Sequence, residues 1–126
     1  MPIILLAIQI ILMNWYIAKI VFSISAENTN HTPQFDEQLR LIAASDKGQA
    51  FIKARTIGIV EENSFFNDRH NRVKWEFINI AEIVPVQNLE DGTEIYSQIH
   101  ETNEAKSYIH CIHEKARFIR LDYTAV

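Results

Sequence analysis

Two glutamates and a histidine lie close together near the middle of the sequence, where they could take part in acid–base chemistry. Glu61 and Glu62 end an apolar helical pattern, and His70 lies in the polar turn that follows. A carboxylate and an imidazole beside a loop are groups that commonly transfer protons in enzymes. The alternative interpretation is a solvated helix end followed by a turn. Glu61, Glu62 and His70 are the candidate catalytic residues.

His110 and His113 form the pattern that most resembles a metal site. If the segment is helical, residues three apart share one face, so both imidazoles could reach one ion. Cys111 is rotated by about 100° from His110 and does not converge easily with it. Zinc needs three or four ligands, and no second cluster has a matching spacing. The alternative is a pair of exposed histidines, and we expect no metal and no other cofactor.

Three further residues could bind a ligand. Glu37 and Arg40 belong to a polar stretch that could line a groove, or could form the exposed face of a sheet. Trp75 could stack on a flat ligand, but aromatic residues at strand spacing are more often core or interface residues. Glu37, Arg40 and Trp75 are therefore the candidate binding residues, with a purely structural role as the alternative.

The composition excludes several classes of function. The chain has 126 residues, 12 basic and 16 acidic side chains and a formal net charge of −4, so nothing draws it generally to nucleic acid or anionic lipid. The sequence lacks a Walker A loop, a dinucleotide glycine fingerprint, a nucleophile elbow and an HExxH motif. With 3 glycines in the whole chain, a phosphate-binding loop is improbable. We expect neither nucleic acid nor a membrane among its partners.

The elements that must position these residues begin with two strands and a helix. Residues 14–25 are apolar on both faces, which predicts a central strand, and residues 35–43 alternate as a half-buried strand antiparallel to it. The alternation groups two sets of side chains, which are Phe35, Leu39, Leu41 and Ala43 on one side and Asp36, Gln38, Arg40 and Ile42 on the other.

The helix begins at Ser45 or Asp46, since Gln49 completes the spacing of a capping box. Small and apolar residues then recur at helical spacing, and Gly58 suggests a close approach to a strand. We expect this helix to end near Phe65.

The second half of the chain predicts two more strands and a second helix. Residues 73–84 are predicted to form a strand with a bulge or bend near residues 79–81. Because proline has no N–H to donate, either strand pairing ends at Pro85 or Pro85 faces an edge of the sheet. A turn at Glu90-Asp91-Gly92 predicts a hairpin over residues 82–99, in which residues 94–99 are the fourth strand of the sheet. Residues 103–116 read as a helix. The predicted fold is α+β, with a small antiparallel sheet of about four strands and two helices packed on one face, in the order β-β-α-β-β-α.

The start of the chain leaves its compartment open. Residues 1–18 contain no charged side chain, so residues 1–22 could serve as a membrane tether or an export signal. The interpretation that we prefer makes residues 1–12 an apolar extension, with Met13 as the native start and residues 13–126 as a single α+β domain. The single cysteine, Cys111, fits a reducing cytoplasm, and we expect the protein there.

Three segments carry a resemblance to a known family. They are Trp15-Tyr16-Ile17-Ala18-Lys19, Phe35-Asp36-Glu37-Gln38-Leu39-Arg40-Leu41 and Val73-Lys74-Trp75-Glu76-Phe77. Over residues 14–86 the chain resembles a bacterial family known only as domain of unknown function 4288. Members of that family open close to the Trp-Tyr-Ile-Ala-Lys motif, which favours Met13 as the start. The resemblance implies no activity and assigns no functional residue.

The first strand suggests what the protein does. Because both of its faces are apolar, one can pack on helices while the other needs cover from a partner, a second copy or the C-terminal helix. We therefore expect a non-enzymatic protein- or ligand-interaction module that forms a homodimer, with an unidentified protein as another partner. The alternatives are a small enzyme that uses Glu61, Glu62 and His70, and a membrane-tethered form of the same module.

Overall fold

The computed structural model describes residues 13–30 and 32–124 of the chain. Its elements, in chain order, are listed here with the labels used below: β1 (Asn14–Ala26), β2 (Gln34–Ala44), α1 (Lys47–Val60), β3 (Asn63–Phe66), β4 (Arg72–Val86) and α2 (Ala105–Thr124). The order β-β-α-β-β-α confirms the predicted α+β class. The chain divides into two compact units, with the boundary between Tyr96 and Ser97, and the two units are described separately.

The sheet belongs to the first unit and is antiparallel throughout. Its strand order in the described residues is β2-β1-β4-β3, so β1 is a central strand, as predicted. Burial explains this position, because consecutive residues of β1 from Tyr16 to Ile20 are all less than a tenth exposed. A strand that is apolar on both faces gains most when neighbours cover both of its edges and both of its faces.

The pairing of β1 with β4 is interrupted twice. Its partners step from Glu82 to Ile80 and from Asn79 to Phe77, so Ala81 and Ile78 are extra residues on β4. These bulges confirm the irregularity predicted near residues 79–81. The pairing of β1 with β4 continues through Pro85 to the end of β4. On the other side of β4, strand β3 pairs only with the first residues of the strand. Pro85 therefore lies where β4 is an edge of the sheet, the position at which a strand tolerates proline.

Helix α1 packs on one face of the sheet through small residues. Asp46 is its N-cap, and the backbone N–H of Gln49 donates to Oδ1 of Asp46 over 2.8 Å. Ala50, Ala54 and Gly58 are the buried residues of the helix. A Cβ added at residue 58 would overlap the ring of Phe77, so the glycine permits the close approach that the sequence suggested.

The structure corrects the predicted course of the chain in two places. Helix α1 ends at Val60 rather than near Phe65, and Asn63–Phe66 form a strand that pairs with β4. The helical spacing continues past Val60, but Phe65 stacks on Trp75 of β4 with ring centroids 6.4 Å apart, which a helix would prevent. Residues 94–99 do not form a strand, because no described strand pairs with them. Tyr96 instead donates a hydrogen bond to Glu82 of β4.

The turn that precedes this segment is present as predicted. The backbone N–H of Thr93 donates to the carbonyl oxygen of Glu90 over 3.1 Å, and Gly92 has a φ of 83°. Only glycine adopts this left-handed backbone without strain. The second unit contains α2, which begins at Ala105 and extends past the predicted end at residue 116 to Thr124.

Helix α1 covers the face of β2 that carries most of the strand's polar side chains. Ile42 and Ala44 are 2% and 4% exposed beneath α1, whereas Phe35, Leu39 and Leu41 are 60%, 46% and 48% exposed. The pairing register with β1 determines which face is covered. Ile42 lies opposite the buried Tyr16 of β1 and therefore shares its face of the sheet, and successive side chains of β2 alternate between the two faces. The polar side chains of β2 therefore share the helix side of the sheet, and the apolar ones lie on the open side.

Candidate functional site

A row of polar side chains runs along β2 on the helix side of the sheet. Asp36 Oδ2 accepts hydrogen bonds from Gln38 Nε2 over 2.7 Å and from Trp75 Nε1 over 3.1 Å. Gln38 Oε1 in turn accepts from Nε and Nη2 of Arg40, over 3.1 and 2.9 Å. Arg40 also forms a bidentate ion pair with the carboxylate of Glu61 at the end of α1. The strand, the helix end and β4 thus contribute to one network.

This polar row brings together three of the predicted site residues, namely Arg40, Trp75 and Glu61. Within the row, Arg40 compensates the charge of Glu61, and Asp36 accepts hydrogen bonds from the neutral side chains of Gln38 and Trp75. The side chains of Arg40 and Glu61 are 35% and 42% exposed, and solvent-exposed ion pairs stabilise a fold by only about 0–1 kcal/mol. The row therefore links the side chains on this face of β2 to the end of α1 and to β4.

The remaining catalytic candidates do not join this network. Glu62 is exposed and lines a shallow cavity of about 250 Å³ beside Trp75 and Lys74. His70 is exposed in the turn before β4, with a φ of 60°. Its backbone N–H donates to the carbonyl oxygen of Asn67 over 2.9 Å. Among the described residues, no hydrogen bond links Glu61, Glu62 and His70 to one another, and their role in acid–base chemistry stays a prediction.

Glu37 lies on the opposite face of the sheet from Arg40 and Trp75, beside a buried lysine. Lys19, on the central strand β1, is 8% exposed, and its Nζ lies 5.2 Å from the centroid of the Tyr96 ring. The Tyr96 hydroxyl donates to Oε2 of Glu82 over 3.0 Å. The pKa of Lys19 is raised above 10.5, chiefly by its hydrogen-bonding interaction with Tyr96 and further by the charges of Glu37 and Glu82, while burial acts in the opposite direction.

Apolar side chains surround this lysine on the open face of the sheet. Leu39 and Leu41 of β2 pair with Lys19 and Ile17 of β1, and Phe35 lies further along the same strand. We call Phe35, Leu39 and Leu41 the apolar row of β2. Trp15, at the start of β1, extends this surface and is 42% exposed. Glu37 lies on the same face between Phe35 and Leu39, and several large exposed apolar side chains on one face are typical of an interaction surface.

The sequence of this domain matches a known protein family. The family described as Domain of unknown function (DUF4288) matches residues 15–97. The chain belongs to this family. The match confirms the resemblance seen in the sequence and covers all four described strands together with α1. No curated protein and no solved structure matches the chain.

The polar cleft of this DUF4288 domain contains none of the predicted site residues. The cleft has a volume of about 430 Å³ and lies where β1 ends. Its described lining has no titratable side chain; the polar residues that line it are Ser23, Ser25, Thr29, Thr32, Gln34 and Asn67. The hydroxyl and amide groups of this described lining can both donate and accept hydrogen bonds.

The metal candidates of the DUF4288 chain lie in the second unit. His110 and His113 are exposed on α2, as is the free thiol of Cys111. Within residues 13–30 and 32–124, no group of three or more histidine, cysteine, aspartate or glutamate side chains is arranged to hold a metal ion. The structure therefore brings no third ligand of these types to the two histidines.

Residues 1–12, on which the membrane and export alternatives depended, lie outside the described part of the DUF4288 chain. No helix within the described residues combines the length and the apolar character required to cross a membrane.

Sequence reasoning missed the cluster of Lys19, Tyr96, Glu37 and Glu82. One signal was available, because Lys19 is the single charged residue in an otherwise apolar or small central segment of β1. A charge at such a position needs a partner that compensates its burial. The partner could not be named, since Tyr96 lies far along the chain, in a segment without regular secondary structure.

Proposed function

We propose that this DUF4288 domain is a non-enzymatic interaction module that works as a homodimer. The observation that carries the proposal is the exposure of the apolar row of β2, whose three side chains are between 46% and 60% exposed. They are large, they lie on one face of one strand, and that strand forms an edge of the sheet. Burying them against a second copy would remove apolar surface from water.

The energy available from this row supports association. Full burial of a leucine or phenylalanine side chain is worth about 1.5–3 kcal/mol, so covering one that is half exposed contributes roughly 1 kcal/mol. In a twofold-symmetric dimer each contact occurs twice, because the same patch serves both subunits. Complete cover of three such residues in each copy sets an upper limit of about 6 kcal/mol before the cost of association is subtracted. That gain has the size needed for a reversible dimer when other contacts add to it.

The polar chemistry of the domain supports a binding role over a catalytic one. Arg40 and Glu61 pair with each other within the chain, and the described lining of the polar cleft at the end of β1 has no titratable side chain. The proposal therefore rests on a surface rather than on a reactive group.

We further propose that the protein works in the cytoplasm. The support is the exposed free thiol of Cys111 in a chain that has 1 cysteine. Exposed unpaired thiols persist in reducing compartments. Fractionation of the native host with a carbonate wash tests this, and recovery of the protein in the membrane pellet would contradict it.

Light scattering coupled to size-exclusion chromatography tests the homodimer. We expect the native chain to elute as a dimer at micromolar concentration. Replacing Leu41, which is 48% exposed, by lysine should raise the dissociation constant about 30-fold or more, since roughly 1 kcal/mol is lost at each of two symmetric sites. Ile59→Lys is the matched control, because Ile59 is 53% exposed but belongs to α1, which packs on the face of the sheet opposite to the apolar row of β2. A native chain that remains monomeric would refute the proposal.

A further inference from the structure

The two edges of the sheet differ in how well they are protected against pairing with another strand. On one side, β3 has 4 residues and covers only the first part of β4. The rest of the β4 edge carries the bulged residues Ile78 and Ala81 and the proline Pro85. Bulges and prolines are devices that prevent a strand from being added to an edge.

The other edge, formed by β2, has none of these devices. Its 11 residues pair with β1 without a single shift of register, and it contains neither proline nor glycine. No strand in the described part of the chain pairs with its outer side. A long, regular edge with free backbone donors and acceptors is the surface to which a further antiparallel strand adds.

One end of this edge is already occupied. Nζ of Lys53, on α1, donates to the carbonyl oxygen of Ala43 over 3.0 Å. An added strand would have to displace this bond to pair at Ala43. Pairing is therefore expected to involve residues 34–42 and to stop before Ala43.

The charges on β2 then select one register for self-pairing. In a symmetric antiparallel pair of identical strands one residue lies opposite its own copy, and both strands keep their faces. Centring the pair on Glu37 or on Arg40 would set like charges directly opposite, which is destabilising. Centring it on Leu39 would extend the pairing to Ala43 and set Asp36 opposite Ile42 of the partner subunit.

The register centred on Gln38 sets no like charges opposite each other and does not reach Ala43, while Glu37 lies opposite Leu39 of the partner subunit. It sets Asp36 opposite Arg40 of the partner subunit on the helix side, and Phe35 opposite Leu41 of the partner subunit on the open side. Each contact occurs twice. Opposite charges and apolar pairs that face each other across strands each contribute about 0.2–1 kcal/mol. This register also spans residues 34–42 and so leaves the Lys53 bond intact.

The side chains have the capacity for the additional contact. Gln38 and Trp75 both donate to Oδ2 of Asp36, so in the described chain Oδ1 can still accept. The guanidinium of Arg40 has five N–H groups, and its four hydrogen bonds to Gln38 and Glu61 leave one of them for a further acceptor.

From these observations we infer that two copies of the chain join their β2 edges antiparallel, with Gln38 on the twofold axis and Asp36 facing Arg40 of the partner subunit. The two sheets become one continuous sheet of eight strands, and the two apolar rows meet across the join. This inference rests on the proposed homodimer and specifies its geometry.

Cysteine cross-linking of the full chain tests the register. Glu37, Gln38 and Leu39 are replaced by cysteine one at a time in a Cys111→Ser background, which removes the exposed native thiol. The Cβ atoms of directly opposite residues lie about 4.5–5.5 Å apart, close to the spacing of a disulfide. We expect Gln38→Cys to form a disulfide-linked dimer under mild oxidation at least tenfold faster than the two neighbouring variants. Circular dichroism checks that each variant is folded.

A mixing experiment provides the second measurement. Asp36→Arg and Arg40→Asp variants should each lose the dimer, because like charges then face each other across the join. Mixed in equal amounts, they should form heterodimers in which every facing pair has opposite charges, and native mass spectrometry separates these by mass. A native dimer that cross-links fastest at residue 37 or 39, or variants that do not form heterodimers, would overturn the register and leave the homodimer standing. A monomeric native chain would overturn both.

Discussion

Lys19 shows how one residue can be charged and still lie within an apolar sheet. Its ammonium group is placed over the Tyr96 ring, 5.2 Å from the centroid, and Glu37 and Glu82 supply negative charge nearby. A cation held over an aromatic face and near carboxylates recovers part of the solvation that it loses on burial. The aliphatic part of the side chain packs among apolar neighbours, while the charge secures the segment that carries Tyr96.

This environment predicts a specific loss of stability at alkaline pH. The folded pKa of Lys19 is raised above the unfolded value of 10.5. Its contribution is therefore fully present below that value and disappears as the pH rises through the folded pKa. We expect the unfolding free energy of the native chain to fall relative to that of Lys19→Met as the pH rises from about 9 to 12. Urea titrations at several pH values measure it.

Tyr96→Phe provides the control for this measurement. It keeps the aromatic ring but removes the hydroxyl, which is the main cause of the raised pKa. The unfolding free energy of Tyr96→Phe should also fall relative to that of Lys19→Met over this pH range. The fall should be smaller than the one seen for the native chain. If the native chain and Lys19→Met lose stability in parallel over the whole alkaline range, the proposed role of the lysine is wrong.

At the scale of elements, the position of α1 depends on small side chains. Ala50, Ala54 and Gly58 recur every four residues, so they form one line along the helix. This line lets the helix approach the sheet until Gly58 meets the Phe77 ring. The larger side chains of the core come from the strands, among them Ile20 and Phe22. The helix therefore acts as a thin cover over aromatic and branched strand residues.

Two glycines of α1 should respond in opposite ways to replacement by alanine. In an open helix position, alanine is favoured over glycine by about 1 kcal/mol. Gly58→Ala should instead destabilise the domain by about 1–3 kcal/mol, because the added methyl group overlaps Phe77. Gly48→Ala is the matched control, since its Cβ would lie 3.4 Å from Oδ1 of Asp46, an ordinary contact, and should stabilise slightly. Thermal unfolding measures both, and equal effects would contradict the close approach.

At the scale of the molecule, the core belongs entirely to the first unit. Every residue of the buried cluster lies between Tyr16 and Ala54, and the side chains that pack against the cluster extend to Ile83. Tyr96, the last residue of the unit, closes over Lys19 on the other face of the sheet. The second unit contributes its own local contacts, such as the stacking of His100 on Tyr108 with ring centroids 5.0 Å apart.

This division predicts that residues 13–96 fold without the rest of the chain. The fragment should unfold in a single cooperative transition, as small domains with one core usually do. A shorter fragment, residues 13–89, lacks Tyr96 and should be less stable, because Lys19 then loses its aromatic cover. Circular dichroism with urea titration compares the two. A broad transition without a defined midpoint in the longer fragment would show that the second unit is needed for folding.

The sequence predicted those parts of the fold that depend on local pattern. The central position of β1 followed from its two apolar faces, and the N-cap at Asp46 and the bulge in β4 followed from residue types and a change of alternation. The side of β2 that meets the helix could not be read, because alternation separates two faces without showing which one α1 covers. Strand β3 was missed because its 4 residues continue the helical spacing before them.

The candidate site was predictable to a similar extent. Arg40 and Trp75 were predicted as candidate binding residues and Glu61 as a candidate catalytic residue, but their contact depends on a strand, a helix end and a second strand coming together. The pairing of Lys19 with Tyr96 depends on a segment that lacks periodicity. Interactions of that kind arise from tertiary structure and have no local signature.

The central place of β1 also has a consequence for synthesis on the ribosome. Its partner β2 follows directly, whereas β4 begins roughly 50 residues after β1 ends, which is several seconds of translation. During that interval one edge of the most apolar strand has no neighbour, and its exposed backbone resembles the edges through which nascent chains aggregate. The interval before β4 emerges is therefore the period in which a chaperone would most benefit this protein.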